Sequence, residues 1–357
     1  MSPVRKAARV AAQRMYARWR RLPLQDAVLC EAYEGTSTGC NPGAVAEYLL
    51  AHTDLPVIWA LREPVAFKDA RLRCVRYRSA SYYRALATTR FLVNNVTFPP
   101  LFDKRDDQVY LNTWHGTPLK RMGRDVDAPF SQIANTIANF EAADTLLSAS
   151  GYMTEVMYRG AYGVAADNVV ELGSPRVDVQ FAPHPEPDLV LYAPTWQEAT
   201  YTQAVDDLAD VAERMTAIAQ ATPGGLRPVL RVHGKLARRA ADDPRLAGFL
   251  AAPVVTTNEL LASCHTLITD FSSVAFDHLA TGSRQLFFTP MRYARGVYLD
   301  DDELPGPRTA DISTLQQWLA GGAAAGGVPV AQARARFCPH EDGKATVRTV
   351  ERLLGGG

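Results

Sequence analysis

Short apolar runs, each closed by a glycine, proline or polar cluster and followed by an amphipathic stretch, recur along this chain. The first, at 27–30, leads through Gly35, Gly39, Asn41, Pro42 and Gly43 into a helical run at 44–51 and a second apolar strand at 56–61. Strand, loop, helix, strand in that order begins a parallel α/β sheet. The pattern goes on with a helix at 81–89, strands at 91–94 and 109–113, a helix at 131–140, a strand at 146–150 and a helix from 153 toward 158. These elements predict one doubly wound domain. The stretch 175–187, with Pro183, Pro185 and Pro187, cannot continue a helix or a central strand and reads as a linker. A second alternation follows: strands at 189–193, 228–232, 265–269 and 284–288, and helices at 204–221, 258–262 and 273–280. A Gly/Ala loop at 320–327 precedes a last helix at 345–354. Two successive parallel α/β domains would turn their strand carboxyl ends, and their ligand sites, toward an interdomain cleft.

A chain of 357 residues suits two such domains. Lys plus Arg and Asp plus Glu are equal at 38 each, so no global field marks nucleic acid as a partner. The five cysteines are scattered without a CxxC pair, which fits reduced thiols better than a disulfide frame or zinc site. No stretch approaches the roughly 20 apolar residues of a membrane span, and the N-terminus lacks a signal-peptide core. The expected location is the cytoplasmic side. One charge asymmetry is local: Arg5, Lys6, Arg9, Arg14, Arg18, Arg20 and Arg21 all precede the first acidic residue, Asp26. On a helix, Val4, Ala8, Ala11, Ala12, Met15, Trp19 and Leu22 share the opposite face. Residues 1–25 therefore read as a helix lying on an anionic membrane surface, or one packed on its own domain.

Candidate chemistry sits at strand ends. Asn112-Thr113-Trp114-His115-Gly116-Thr117-Pro118-Leu119-Lys120 drops an imidazole into a bent loop after an apolar strand. His115 could take a proton from an attacking hydroxyl, or could be a buried histidine satisfied by a backbone carbonyl. A glycerolipid acyltransferase is excluded, because Leu119 stands where that chemistry needs aspartate four residues after the histidine. In Arg231-Val232-His233-Gly234-Lys235, strand alternation would turn Arg231, His233 and Lys235 toward a diphosphate, or toward solvent. Thr269-Asp270-Phe271-Ser272-Ser273 ends a strand and starts a helix whose amides attract anions; alternatively, Asp270 or Ser272 is an N-cap. Asp277 on that helix could reach a ribose, and Thr195 after the strand at 189–193 could add a hydroxyl, with Trp196 a packing residue. Asp125-Val126-Asp127 matches a DxD metal motif only by its three residues, and the acidic run 300–303 reads as a solvated loop. No resident metal or cofactor is expected.

Taken in order, these segments resemble the CDP-glycerol glycerophosphotransferase family, the wall teichoic acid primases and polymerases. Further matches are Tyr33-Glu34 with Gly39-Cys40-Asn41-Pro42, Gly173-Ser174-Pro175-Arg176-Val177-Asp178, Tyr192-Ala193-Pro194-Thr195-Trp196, Arg295-Gly296-Val297-Tyr298, Pro305-Gly306-Pro307, Phe337-Cys338 and Asp342-Gly343-Lys344-Ala345. The resemblance implies a GT-B arrangement of two Rossmann-like domains: an acceptor domain at 26–182, a CDP-alditol donor domain at 188–335 and a C-terminal helix at 336–357. It implies metal-independent transfer of glycerol phosphate, or a related alditol phosphate, from CDP-glycerol or CDP-ribitol. The acceptor would be a hydroxyl of a lipid-linked saccharide or polyol phosphate in teichoic acid or capsule-type polymer synthesis. CMP would be released at the cytoplasmic membrane face, the protein being peripheral. His115 matches the family's general base and His233 its second essential histidine. Thr269, Asp270, Ser272 and Ser273 match the segment holding the CDP moiety, and Asn112, Gly116, Thr117, Lys120, Thr195, Arg231, Lys235 and Asp277 complete the expected substrate contacts. Gly234 and Cys40 depart from the family's usual proline and aspartate. The rival expectations are a GT-B glycosyltransferase using a nucleotide sugar and a non-catalytic, membrane-docked scaffold.

Overall fold

A computed structural model describes residues 3–195, 208–232, 234–282, 284–290, 296–322 and 326–355, with side chains at 3–9, 166, 234 and 235 not described. Contacts divide the chain into two units. The first comprises Met1–His115, Gly123–Arg176 and Lys344–Gly357, and the second Gly116–Met122 and Val177–Gly343.

The first unit is built on seven parallel strands: β1 (Gln25–Glu31), β2 (Val57–Leu61), β3 (Leu72–Arg76), β4 (Thr89–Asn94), β5 (Val109–Asn112), β6 (Thr145–Ser148) and β7 (Val169–Glu171). Their order is β3-β2-β1-β4-β5-β6-β7. Val28, Trp59, Val93 and Leu111 are buried in one core cluster, which explains why the central strands read as unbroken apolar runs. The order reverses between β1 and β4, so the loops after these two strands diverge and leave a crevice at their carboxyl ends. Helix Cys40–His52 follows β1 and packs against the terminal helix Ala345–Gly355. Where a helix was expected from 153, a short helical turn at Gly151–Met153 runs on as a π-helix over Thr154–Ala161. The helix expected at 131–140 is a 3₁₀ turn, Phe130–Gln132, followed by a helix at Ala134–Ala142.

The N-terminal helix spans Pro3–Trp19. It packs through Tyr16, 3 % exposed and set edge-on to Tyr83, and just beyond its end Arg20 pairs with Asp103 at 2.5 Å. A polar-looking position thus became the anchor, because a tyrosine buries far more area than an alanine. Val10, Met15 and Leu22 remain exposed beside exposed Arg14, Arg18 and Arg21. Among the described residues no helix is long and apolar enough to cross a membrane.

The second unit carries β8 (Leu189–Ala193), β9 (Arg227–Leu230), β10 (Cys264–Thr269), β11 (Gln285–Phe288) and β12 (Arg308–Thr309), all parallel in the order β12-β11-β10-β8-β9. Its reversal lies between β10 and β8. Helices Leu208–Ala221 and Ile312–Leu319 cover one face, burying Met215, Ile218, Leu315 and Trp318 against Leu230, Ile268 and Leu286. The stretch expected as a linker begins as a 3₁₀ segment, Pro175–Phe181.

His278 is fully buried on helix Val274–Leu279, and its ring lies over Gly282, where an added Cβ would meet ring atoms at 2.1–2.5 Å. Gly282→Ala is expected to destabilise the protein by about 1–3 kcal/mol through overpacking. Thermal or urea melting checks it, and an unchanged midpoint would contradict the packing described.

Candidate active site

His115 lies one loop beyond β5, against the reversal of the first sheet. Its Nδ1 is 2.6 Å from the carbonyl oxygen of Asn95, the residue following β4. A carbonyl can only accept, so Nδ1 carries the proton and Nε2 is left with its lone pair. Trp114 stacks on the imidazole at 4.3 Å, and Tyr33, just after β1, meets it edge-on at 5.5 Å. The two readings of His115 left open by the sequence are therefore compatible: one ring nitrogen is satisfied by a carbonyl, and the other is in a base's state. Burial, abetted by the positive charge of Arg176, pushes the imidazole pKa down to about 4 against the opposing pull of the Asn95 carbonyl.

The backbone around this histidine is under strain. Trp114 has φ 48°, and on the neighbouring loop Tyr33, Glu34 and Cys40 have φ of 49°, 53° and 60°. Left-handed conformations at bulky residues cost on the order of 1–3 kcal/mol each and persist only where the surroundings enforce them. The enforcing contacts are buried amides. Asn112 donates to Asn94 Oδ1 and the Val96 carbonyl, both at 2.9 Å, and to the Tyr110 hydroxyl at 3.1 Å, while its Oδ1 accepts the Trp114 N–H at 3.0 Å. Asn41 donates to the carbonyls of Thr113 and Trp114 at 3.2 and 3.3 Å, and its Oδ1 accepts from the main-chain N–H and guanidinium of Arg176 at 3.1 and 3.3 Å. Asn95 Oδ1 accepts the Tyr33 N–H at 2.8 Å.

Asn112 was expected to touch substrate. It is instead fully buried with its amide spent on the chain itself, so it shapes the loop. Thr117 is buried too, and Gly116 takes φ 153°, a conformation that favours glycine. Lys120 forms an antiparallel bridge with Val297, and the Leu119 carbonyl accepts the Tyr298 N–H at 2.9 Å. The segment after the histidine thereby belongs to the second unit.

In that unit the reversal between β8 and β10 is spanned by one carboxylate. Asp270 accepts the Thr195 N–H at 3.0 and 3.1 Å and the Thr195 hydroxyl at 2.7 Å, so it is a clamp on the turn after β8 and not an N-cap. Thr269 is fully buried and donates to the Ala193 carbonyl at 2.7 Å, which ties the same two strands. Ser272 and Ser273 keep partial exposure at the start of helix Val274–Leu279; Ser272 Oγ accepts the Val274 N–H at 3.3 Å. Asp277, expected near a ribose, has a carboxylate oxygen 3.4 Å from the Asn258 amide nitrogen, beside Gln180. Arg231 follows β9 half-buried, with desolvation holding its pKa below the usual range. His233 and Trp196 lie outside the described residues. The alternation argument for Lys235 fails, because β9 ends at Leu230 and a helix runs from Gly234 to Ala241.

Two features escaped the sequence reading. One is the support of His115 by Asn95, Asn41 and Tyr33. The other is a cavity of about 550 Å³ at the carboxyl ends of β10 to β12, lined by Phe271, Thr289, Gly296, Val297, Asp301 and Arg308 among others. Arg308 donates to Thr289 at 2.6 Å and pairs with Asp301, so one member of the acidic run faces a pocket while staying solvated. Asp125, at the end of the 3₁₀ turn Gly123–Asp125, and Asp127 are exposed, and no group of three or more potential metal ligands occurs among the described residues.

Comparison with known proteins gives one consistent answer. The model of the family described as CDP-Glycerol:Poly(glycerophosphate) glycerophosphotransferase matches residues 14–355. The chain is 26 % identical to the teichoic acid glycerol-phosphate transferase of Staphylococcus aureus (strain NCTC 8325 / PS 47) over 94 % of both proteins. It is 28 % identical to the teichoic acid poly(glycerol phosphate) polymerase of Bacillus subtilis (strain 168) over 80 % of its own length but 43 % of that protein's. A solved structure of the wall teichoic acid polymerase TagF superposes with a TM-score of 0.79 at 22 % identity, covering 99 % of this chain and 95 % of that one, and gives the fold as GT-B.

Proposed function

The chain belongs to the CDP-glycerol:poly(glycerophosphate) glycerophosphotransferase family, and on that premise we propose that it moves glycerol phosphate from CDP-glycerol to an acceptor hydroxyl with His115 as general base. The observation that carries this reading is the hydrogen bond from His115 Nδ1 to the Asn95 carbonyl, which commits the imidazole to the tautomer whose Nε2 can accept a proton. The acceptor oxygen forms a bond to the glycerol-bearing phosphorus, the bond from that phosphorus to the CMP oxygen breaks, and the acceptor's proton goes to Nε2. Phosphoryl transfer asks a protein mainly for position and charge. Arg231 and the hydroxyls of Thr195, Ser272 and Ser273 suit the donor's phosphates, and the 550 Å³ cavity beside Phe271 suits its cytidine end. The transfer proceeds without a resident metal, so chelators leave it unchanged.

The finer reading concerns acceptor and location. A polyol phosphate or lipid-linked acceptor at an anionic membrane surface fits the exposed Val10, Met15 and Leu22 flanked by Arg14, Arg18 and Arg21. Each cation near such a surface adds on the order of 1 kcal/mol. Deleting residues 1–22 should reduce sedimentation with phosphatidylglycerol vesicles at least about tenfold while CMP release with a soluble acceptor continues. Unchanged sedimentation would remove the helix from membrane binding.

A further inference from the structure

Arg176 stands out among the groups not yet given a role. Its main-chain N–H and its guanidinium both reach Asn41 Oδ1, and Asn41 is only 1 % exposed. The other end of the same amide holds the carbonyls of Thr113 and Trp114, the two residues that carry the chain into His115. The segment bearing Arg176 is pinned from the terminal helix as well: Thr346 donates to the Pro175 carbonyl at 3.2 Å, and Arg348 to the Leu172 carbonyl at 3.0 Å. One buried asparagine thus ties the cation to the two residues that precede the base. Cation and base are near enough for the charge of Arg176 to disfavour protonation of the imidazole. Both residues keep partial exposure, unlike the amide that joins them.

A fixed cation beside a base that must stay neutral has an evident use when the substrate is an anion. In a poly(glycerophosphate) acceptor, the attacking terminal hydroxyl sits one glycerol away from an ionised phosphodiester. The planar guanidinium matches two phosphate oxygens better than any other side chain. The donor's phosphates have their own candidate groups in the second unit, whereas Arg176 and His115 both belong to the first. We propose that Arg176, held by Asn41 beside His115, binds the phosphodiester nearest the acceptor's attacking hydroxyl and so makes the enzyme selective for phosphate-bearing acceptors. This rests on the reading of His115 as the base that receives the acceptor's proton.

The test compares two acceptors, a synthetic glycerol–phosphate–glycerol dimer and plain glycerol, by CMP release from CDP-glycerol, with donor affinity measured separately by calorimetry. Wild-type protein should prefer the dimer. Arg176→Gln should lower the ratio of kcat/KM for dimer over glycerol by about 30-fold, the usual worth of a charge-assisted pair, chiefly through KM for the dimer. Arg176→Lys keeps the charge without the fork and should fall between, and it serves if the Gln variant folds poorly. CDP-glycerol affinity should change by less than about threefold. No wild-type preference for the dimer, an unchanged ratio in both variants, or a loss confined to CDP-glycerol affinity would each overturn the assignment. His115→Ala separates the two levels: if it keeps full turnover, the base reading itself fails, whereas an inactive His115→Ala with an unaltered Arg176 ratio defeats only this inference.

Discussion

His115→Ala should leave CDP-glycerol binding within a few-fold of wild type while turnover falls at least about 10²-fold, the lower end of what a positioned base contributes. The imidazole is exposed only in part and is packed by Trp114 and Tyr33, so its truncation removes the proton acceptor without removing the loop's amide supports. The pH dependence offers a second, independent reading of the same residue. Burial, helped by Arg176, pushes the His115 pKa down to about 4. A base works unprotonated, so kcat/KM should stay on its plateau as pH falls through 6.5, where an ordinary histidine would already be half-protonated, and decline only toward pH 4. Near-wild-type turnover of the alanine variant would remove His115 from the chemistry. A half-maximum at pH 6.5 in the wild type would contradict the buried setting described.

The second large effect is expected at Asn112, which is fully buried. Its amide makes four hydrogen bonds inside the first unit, one of them to the N–H of Trp114, which is held at φ 48°. Asn112→Ala leaves the buried Trp114 N–H and the half-buried Val96 carbonyl with fewer partners and opens a small cavity. The expected cost is about 2–4 kcal/mol of stability. Freed of that anchor, the strained turn relaxes and carries His115 away from Asn95, so turnover should fall by more than about tenfold even where the variant is fully folded. KM for either substrate should move little. A direct substrate contact predicts the reverse, a raised KM at unaltered stability, so urea melts and steady-state kinetics on one preparation distinguish the two.

The contrast between Asn112 and His115 bears on what a sequence can disclose. Both are polar residues at the end of an apolar strand, and nothing in the pattern tells a side chain aimed at a ligand from one aimed back at its own loop. What orients His115 is the main-chain carbonyl of Asn95, and a carbonyl leaves no mark on a sequence. The strand order also lies beyond pattern reading. Both reversals depend on which strands pair, and only those pairings bring Tyr33, Asn95 and His115 together, or tie Thr195 to Asp270.

The elements themselves were largely legible where they are buried. The central strands β1, β2, β4, β5, β8 and β10 are predominantly apolar along their buried lengths, and the sequence located each to within a residue or two. The strands it missed, β3, β7 and β12, are three of the four edge strands of the two sheets. Leu72-Arg73-Cys74-Val75-Arg76 alternates with arginine because an edge strand is half in water, and Arg308–Thr309 is only two residues long. Helix Ile312–Leu319 did carry a signal that went unread: Asp311 caps it by accepting the Thr314 N–H at 2.7 Å. Arg231 and Lys235 were grouped by alternation from a strand expected at 228–232. The strand ends two residues earlier, at Leu230, and a helix takes over at Gly234, so strand alternation does not reach Lys235.

Transfer of glycerol phosphate from CDP-glycerol with His115 as the base can be followed by incubating purified protein with CDP-glycerol and the glycerol–phosphate–glycerol dimer and measuring CMP and product mass together. One CMP is expected for each glycerol phosphate added to the acceptor, with both products lost in His115→Ala although CDP-glycerol still binds. CDP-glycerol that neither binds nor reacts, or transfer undiminished in His115→Ala, would contradict this mechanism.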